Sequence, residues 1–325
     1  MHCHSYLSHD SKGKVEAIAA ACESVGIDFL IMTDHQTPHS VSRGARGVVG
    51  KTLFVVGGEL RTPDGTLIAF PLRHYVRPKP TTQEVVDDVH SQDALAFVCH
   101  AERFQPWGTR GLDGCEVVNL HAAAIAADKP AMLIAGIFST PRALFEVLCK
   151  RPDAILARYD QELAARHPFP LIAGNDAHEN IQIFGPLGGT VGTYEELFKV
   201  VTTHVLAEKL DEGSLVTAFR RGRTYIAFDL FGDTTGFRCV VEGRGQTFTF
   251  GDSVPTGDVV RLVVDVPRTA IVRLYRDGTL VQESVGRQAS RAHPEPGVWR
   301  VEVALEDGRP WILGSPIWVK PEHEE

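Results

Sequence analysis

Up to about residue 228 the chain alternates between short, continuously apolar runs and longer amphipathic stretches. Residues 28–32, 53–56, 95–98, 115–118 and 171–173 are rich in Val, Ile, Leu and Phe without polar alternation, the pattern of strands buried on both faces. Between them, residues 14–25 put Val15, Ile18, Ala19, Cys22 and Val25 on one stripe, as an amphipathic helix requires. Residues 82–90 follow a Pro-rich stretch and predict a second helix, and Thr140-Pro141 offers a capping residue then Pro at the first turn of another. Strands alternating with helices predict a parallel α/β architecture, closed as a barrel or open. After Phe228 the texture changes. Residues 237–241, 247–250, 259–266, 271–275, 298–304 and 317–319 alternate or are β-branched, with Asp277-Gly278 and Asp307-Gly308 turns between them. That density of short strands predicts a small antiparallel β-sandwich, dividing the chain at 1–228 and 229–325.

Composition adds exclusions. With 325 residues, 43% hydrophobic and 23% charged, the chain has ordinary globular composition, which argues against long disorder. The net charge of −8 speaks against a basic surface that tracks long nucleic acid. No apolar run approaches the roughly 20 residues of a membrane helix. Six scattered cysteines without a CxxC pair predict buried, reduced thiols and a cytoplasmic location.

The informative residue is His, with 14 copies. His2 and His4 are two apart, so an extended segment shows both on one face, and Asp10 follows shortly after. Thr33-Asp34-His35 ends the first apolar run, Glu59 follows the second, and His100 ends the third. Asp176 and His178 close the run that begins at Leu171. In parallel α/β barrels the C-terminal strand ends form the active-site rim, and here separate segments deliver imidazole or carboxylate to it. Imidazole with carboxylate suits Zn, Mn or Fe, while the absence of a thiolate cluster argues against a structural zinc site. Eight ligands exceed one ion and fit two to three divalent ions, with Glu59 as the natural bridge. A metal-bound hydroxide on such a cluster suits attack at a phosphoryl centre.

The ordered set His2-Cys3-His4-Ser5, Thr33-Asp34-His35, Gly58-Glu59, Cys99-His100-Ala101 and Gly174-Asn175-Asp176-Ala177-His178 resembles the PHP (polymerase and histidinol phosphatase) superfamily over residues 1–228. The resemblance implies a distorted (β/α)7 barrel and a trinuclear metal centre that hydrolyses phosphoesters. Carried over position by position, it implies His2, His4, Asp10, His35, Glu59, His100, Asp176 and His178 as ligands, with His9 the alternative to Asp10. The part after Phe228, including residues 221–225 and 310–312, looks like a tail of some uncharacterised members. Two departures stand out. The family has a strand before its first histidine pair, so upstream residues are expected to be missing here. An additional family histidine has no clear match; His74 fits better than His90.

Around the ligands, Asp34 is expected to orient an imidazole, Arg103 to hold a substrate phosphate, and His39 to protonate the leaving oxygen. Glu116 and Asn119 are expected to support the ligands from behind, His121 is a loop histidine near the rim, and His167, His204, His293 and His323 are structural or exposed. The expected activity is metal-dependent hydrolysis of a small phosphomonoester or nucleotide. An amidohydrolase-like metal hydrolase and a non-catalytic binding protein are the competing readings.

Overall fold

The computed structural model describes residues 1–126, 141–178 and 192–321; Thr140, His323 and the acidic tail at 322–325 lie outside them. Helix α1 (Val15–Val25) buries Ile18, Ala19 and Cys22 and stops where Gly26 turns left-handed at φ 84°. The short α2 (Pro38–Ser42) is started by a capping box on Thr37, and α3 (Thr82–His90) by one between Thr81 and Glu84. The remaining α-helices among the described residues are α4 (Leu120–Ala126), α5 (Pro141–Leu148), α6 (Asp153–Glu162), α7 (Tyr194–Phe198) and α8 (Glu212–Arg220).

The apolar runs form the expected strands. In the first sheet β1 (Phe29–Met32), β2 (Gly47–Val49) and β3 (Thr52–Val56) are ordered β1-β3-β2, with β1 parallel to β3. In the second, β4 (Gly58–Thr62), β5 (Gly65–Phe70), β6 (Leu95–Cys99), β7 (Gly114–Asn119) and β8 (Leu171–Gly174) lie in sequence order. Here β6, β7 and β8 run parallel, but β5 is antiparallel to both its neighbours, β4 and β6, so the α/β part is mixed rather than wholly parallel.

Residues 1–4 join the two sheets. The Thr33 N–H donates to the Cys3 carbonyl at 2.9 Å, and the His4 N–H donates to the Ala177 carbonyl at 2.9 Å. The Asp176 N–H donates back to the His2 carbonyl at 2.9 Å. A parallel bridge between His35 and Glu59 ties the end of β1 to β4. The C-terminal ends of β1, β6 and β8 therefore gather around the N-terminal segment.

The rest is a curled, mainly antiparallel sheet. It contains β9 (Thr202–Val205), β10 (Thr224–Ala227), β11 (Arg238–Gly243), β12 (Thr247–Phe248), β13 (Ser253–Pro255), β14 (Val259–Arg276), β15 (Thr279–Ala292), β16 (Gly297–Ala304), β17 (Pro310–Gly314) and β18 (Ile317–Lys320), with β13 paired in parallel with β18. The runs at 259–266 and 271–275 are one strand, β14, whose pairing with β15 shifts register between Asp265 and Ala270 and again between Leu274 and Tyr275. Because β10 pairs with both β9 and β17, hydrogen bonding is continuous across Phe228. The junction is apolar and buried: Phe228, Phe250, Trp299 and Trp311 belong to the same cluster as Phe54 and Phe169. No helix among the described residues is long and apolar enough to cross a membrane.

Candidate metal centre

The eight residues singled out as ligands converge. Three overlapping sets each keep their donor atoms within 4.8 Å of one another: His2, Glu59, Cys99 and His100; His4, Asp10, His35 and His178; and His2, His4 and Asp176. Glu59 lies among them. Its Oε2 is 3.5 Å from His2 Nε2, 3.4 Å from His4 Nε2 and 3.3 Å from His35 Nδ1, while its Oε1 is 3.6 Å from His100 Nε2. Asp176 sits opposite, with Oδ1 at 3.2 Å from His2 Nε2 and 3.3 Å from His4 Nε2. Asp10, rather than His9, completes the open side, its Oδ2 at 3.0 Å from His35 Nε2 and 3.4 Å from His178 Nε2. His9 is exposed and only packs its ring 4.8 Å from that of His35.

The outer nitrogen of several imidazoles is anchored, which fixes where the inner one points. His2 Nδ1 lies 2.7 Å from Glu116 Oε1 in full burial. A carboxylate can only accept, so Nδ1 carries a proton and Nε2 is the nitrogen turned inward, free to bind a cation in place of a second proton. His4 Nδ1 meets Ser8 Oγ at 3.0 Å, and His178 Nδ1 meets the Asp176 carbonyl at 2.8 Å. The Nε2 atoms of His2 and His4 are buried and make no hydrogen bond, although carboxylate oxygens stand within 3.5 Å. Donors that aim at a common point, not at each other, produce this misalignment. The separations suit it too, since two ligands on one ion with bonds of about 2.1 Å sit about 3.4 Å apart in a tetrahedron. Buried unpartnered nitrogens are costly in isolation, so the residues fit divalent cations.

Electrostatics agree. Burial would push the Glu59 carboxyl up, but the His2, His4 and His35 rings outweigh it and hold it at about 2. Burial likewise opposes ionisation of Asp176, yet His2, His4 and His178 keep it well below the usual carboxylate range. His2 is pulled well above the ordinary imidazole value despite its burial, because Asp176 and Glu116 face it. The pocket therefore favours positive charge at its centre. Cys99 is a poor ligand candidate, as burial pushes its thiol well up and its Sγ lies 3.5 Å from Glu116 Oε2, behind His2.

Backbone shape matches this crowding. His2 (φ 61°), His100 (φ 48°) and Asp176 (φ 53°) all adopt left-handed conformations that non-glycine residues seldom take. Gly174 must lack a side chain, because a Cβ there would lie 1.9 Å from Glu116 Oε1 and 2.8 Å from the His2 Cβ.

Other expected residues divide. Asp34 is buried beside the site and accepts from the Ser5 N–H at 2.6 Å and from Ser8 Oγ at 3.1 Å. It thus touches the His4 imidazole through Ser8 rather than directly. Glu116 does hold His2 from behind, accepting also from the His100 N–H at 3.1 Å and Asn119 Nδ2 at 3.0 Å. Arg103 is 61% exposed and its nearest carboxylate is Glu102, so it is not brought to the cluster. His39 is exposed on α2. His74 is exposed, its N–H held by Gln92, and His90 pairs with Asp113, so neither joins the ligands. His121 is half-buried with its ring 5.7 Å from His178. Sequence reasoning did not single out Ser8 or Cys99; the first was hidden because a serine in a polar loop carries no pattern.

A cleft of about 530 Å³ opens on this centre, with His35 and Glu59 in its wall. A larger cavity of about 980 Å³ lies at the opposite, N-terminal end of β1, lined by residues such as Phe29, Leu30 and Val201 and by none of the eight ligands. Donor chemistry, not size, decides between them.

Fold and side chains together define a mixed α/β chain with a buried imidazole–carboxylate centre whose donor groups could hold a metal ion. Among solved structures, the chain is similar to a two-domain protein from Bacteroides vulgatus containing a predicted PHP-like metal-dependent phosphoesterase. The identity is 14% and the TM-score 0.45, over 98% of this chain and 93% of that one. No protein-family model matches the sequence, and no curated protein matches it.

Proposed function

We propose that the protein is a metal-dependent phosphoesterase of the PHP kind, acting on a small phosphomonoester or nucleotide. The observation that carries this is the pair of buried, unbonded Nε2 atoms of His2 and His4 facing Glu59 and Asp176. The three overlapping donor sets support two to three ions, and thiolate-poor imidazole–carboxylate chemistry supports Mn, Fe or Zn. Divalent ions held there would supply Lewis-acid polarisation of phosphoryl oxygens and activation of water near neutral pH. The chain's own residues do the rest. Glu59 spans the donor sets, Glu116 and Ser8 fix the imidazole tautomers, and Asp34 holds Ser8 in place. Residues 1–228 would form a distorted (β/α)7 barrel, with 229–325 as an appended antiparallel domain. All six cysteines are free and buried, which supports a reducing, cytoplasmic setting.

The test is metal content by plasma mass spectrometry on anaerobically purified protein, with hydrolysis of p-nitrophenyl phosphate and bis-p-nitrophenyl phosphate on the same sample. Two to three equivalents with turnover are expected, and His4→Ala, Glu59→Ala and Asp176→Ala should each lose metal and at least about 100-fold in rate. Full activity in those variants would overturn the assignment, and metal with turnover only on amides or lactones would replace it with an amidohydrolase reading.

A further inference from the structure

The cleft that opens on His35 and Glu59 carries a charge pattern of its own. Arg61 stands two residues beyond Glu59 on β4, so it shares that face of the strand about 7 Å further out. Arg77 lines the same cleft from the segment after β5. Among the described residues, neither guanidinium has a carboxylate within ion-pair reach, and Glu59 is the sole carboxylate in the wall. A cationic wall in a chain of net charge −8 is not a composition effect. The same cleft is lined by Gln36, next to the candidate ligand His35 in sequence, whose amide nitrogen and oxygen are both shielded from solvent and make no hydrogen bond. Buried amides normally find partners, so this one is placed for a polar group that arrives with a ligand.

Resting on the phosphoesterase reading, we infer that this cleft receives the leaving-group half of the substrate, and that the substrate class is a small phosphoester whose alcohol half bears a second anionic group. Arg61 and Arg77 bind that second anion, the planar guanidinium matching either a carboxylate or a phosphate. Gln36 hydrogen-bonds the polar chain between the two charges. Tyr6, 53% exposed at the rim, leaves the mouth open to a substrate of this length.

Calorimetric binding to the metal-loaded protein separates these claims, with propylphosphonate, 3-phosphonopropionate and propane-1,3-bisphosphonate as probes. At least one doubly anionic probe should bind at least about 10-fold tighter than propylphosphonate, the worth of one charge-assisted pair. The better of the two identifies carboxylate or phosphate. In Arg61→Ala/Arg77→Ala, with metal content retained as the folding control, the gap should close to less than about 2-fold. Equal affinity for all three probes in the unaltered protein overturns the cleft assignment and leaves the phosphoesterase reading standing. A gap that survives in the double variant also overturns it, assigning the gain to the metal centre. Binding of no phosphonate at all overturns the phosphoesterase reading, and this inference with it.

Discussion

Glu116→Gln tests whether the support behind His2 sets the chemistry of the centre. The side chain is 1% exposed, so the substitution keeps volume and changes only charge and hydrogen-bond polarity. One carboxylate oxygen faces His2 Nδ1 at 2.7 Å; the other accepts from the His100 N–H at 3.1 Å and Asn119 Nδ2 at 3.0 Å. If the amide oxygen keeps His2, the new NH2 confronts two donors, each stranded at a cost of about 1–3 kcal/mol. If the amide flips, His2 must carry its proton on Nε2, and the lone pair is turned away from the centre. Both outcomes weaken the site. Loss of such a supporting partner typically lowers metal affinity about 10–100-fold, or roughly 1.4–2.8 kcal/mol. Competition titration against a chromophoric chelator measures this directly, with circular dichroism as the folding check. A folded Glu116→Gln protein that binds metal within about 3-fold of the parent would refute the tautomer argument.

Two further outcomes follow from the same geometry. Gly174→Ala drives a Cβ into Glu116 and His2, at 1.9 Å and 2.8 Å, so it should cost about 1–3 kcal/mol in urea unfolding and weaken metal binding in parallel. Away from the site, Glu302 pairs with the buried Arg300 at 2.5 Å and the partly exposed Arg151 at 2.6 Å; because Arg300 keeps its Asp160 pair, Glu302→Ala should destabilise by about 1–3 kcal/mol. Burial would raise the Glu302 carboxyl, but Arg151 and Arg300 hold it below the ordinary value. Its folded pKa is therefore the lower one, so its contribution is present above the unfolded value of about 4.3 and is lost as pH falls through the folded value. Acid titration of stability should be shallower in Glu302→Gln than in the parent, and parallel curves would contradict the assignment.

The converging cluster was partly legible because His35, Glu59, His100, Asp176 and His178 come at or just past the ends of apolar runs, where a strand carries its last side chains to the rim, whereas His2, His4 and Asp10 follow no such run. His35, His100 and Asp176 follow β1, β6 and β8 directly. What local pattern could not give is direction after the strand ends. Arg103 lies three residues beyond His100, but the chain turns there, its N–H bonding the His100 carbonyl at 2.8 Å, and its side chain leaves the site. His39 is turned outward by the capping box that starts α2. Strand β15 was invisible for another reason: it pairs with β14 at one edge, is mostly exposed, and so needs no hydrophobic alternation. The pairing of β10 with β17 joins Tyr225 to Gly314, and no sequence window spans that distance.

Three features of the centre are liabilities when taken singly. Left-handed backbone at His2, His100 and Asp176 costs about 1–2 kcal/mol at each position. The Nε2 atoms of His2 and His4 forgo hydrogen bonds in burial, and Glu59 and Asp176 are held ionised against desolvation. Hydrophobic packing explains none of them, since each could be relieved by a glycine, an apolar side chain or a neutral amide. Bound divalent cations would offset all three at once: they would accept the lone pairs, neutralise the carboxylates, and make the strained turns the means by which donors from separate segments reach one point. The same logic separates this cluster from the buried Arg300–Glu302 group, where every charge meets an opposite charge within hydrogen-bond distance and no further partner is required.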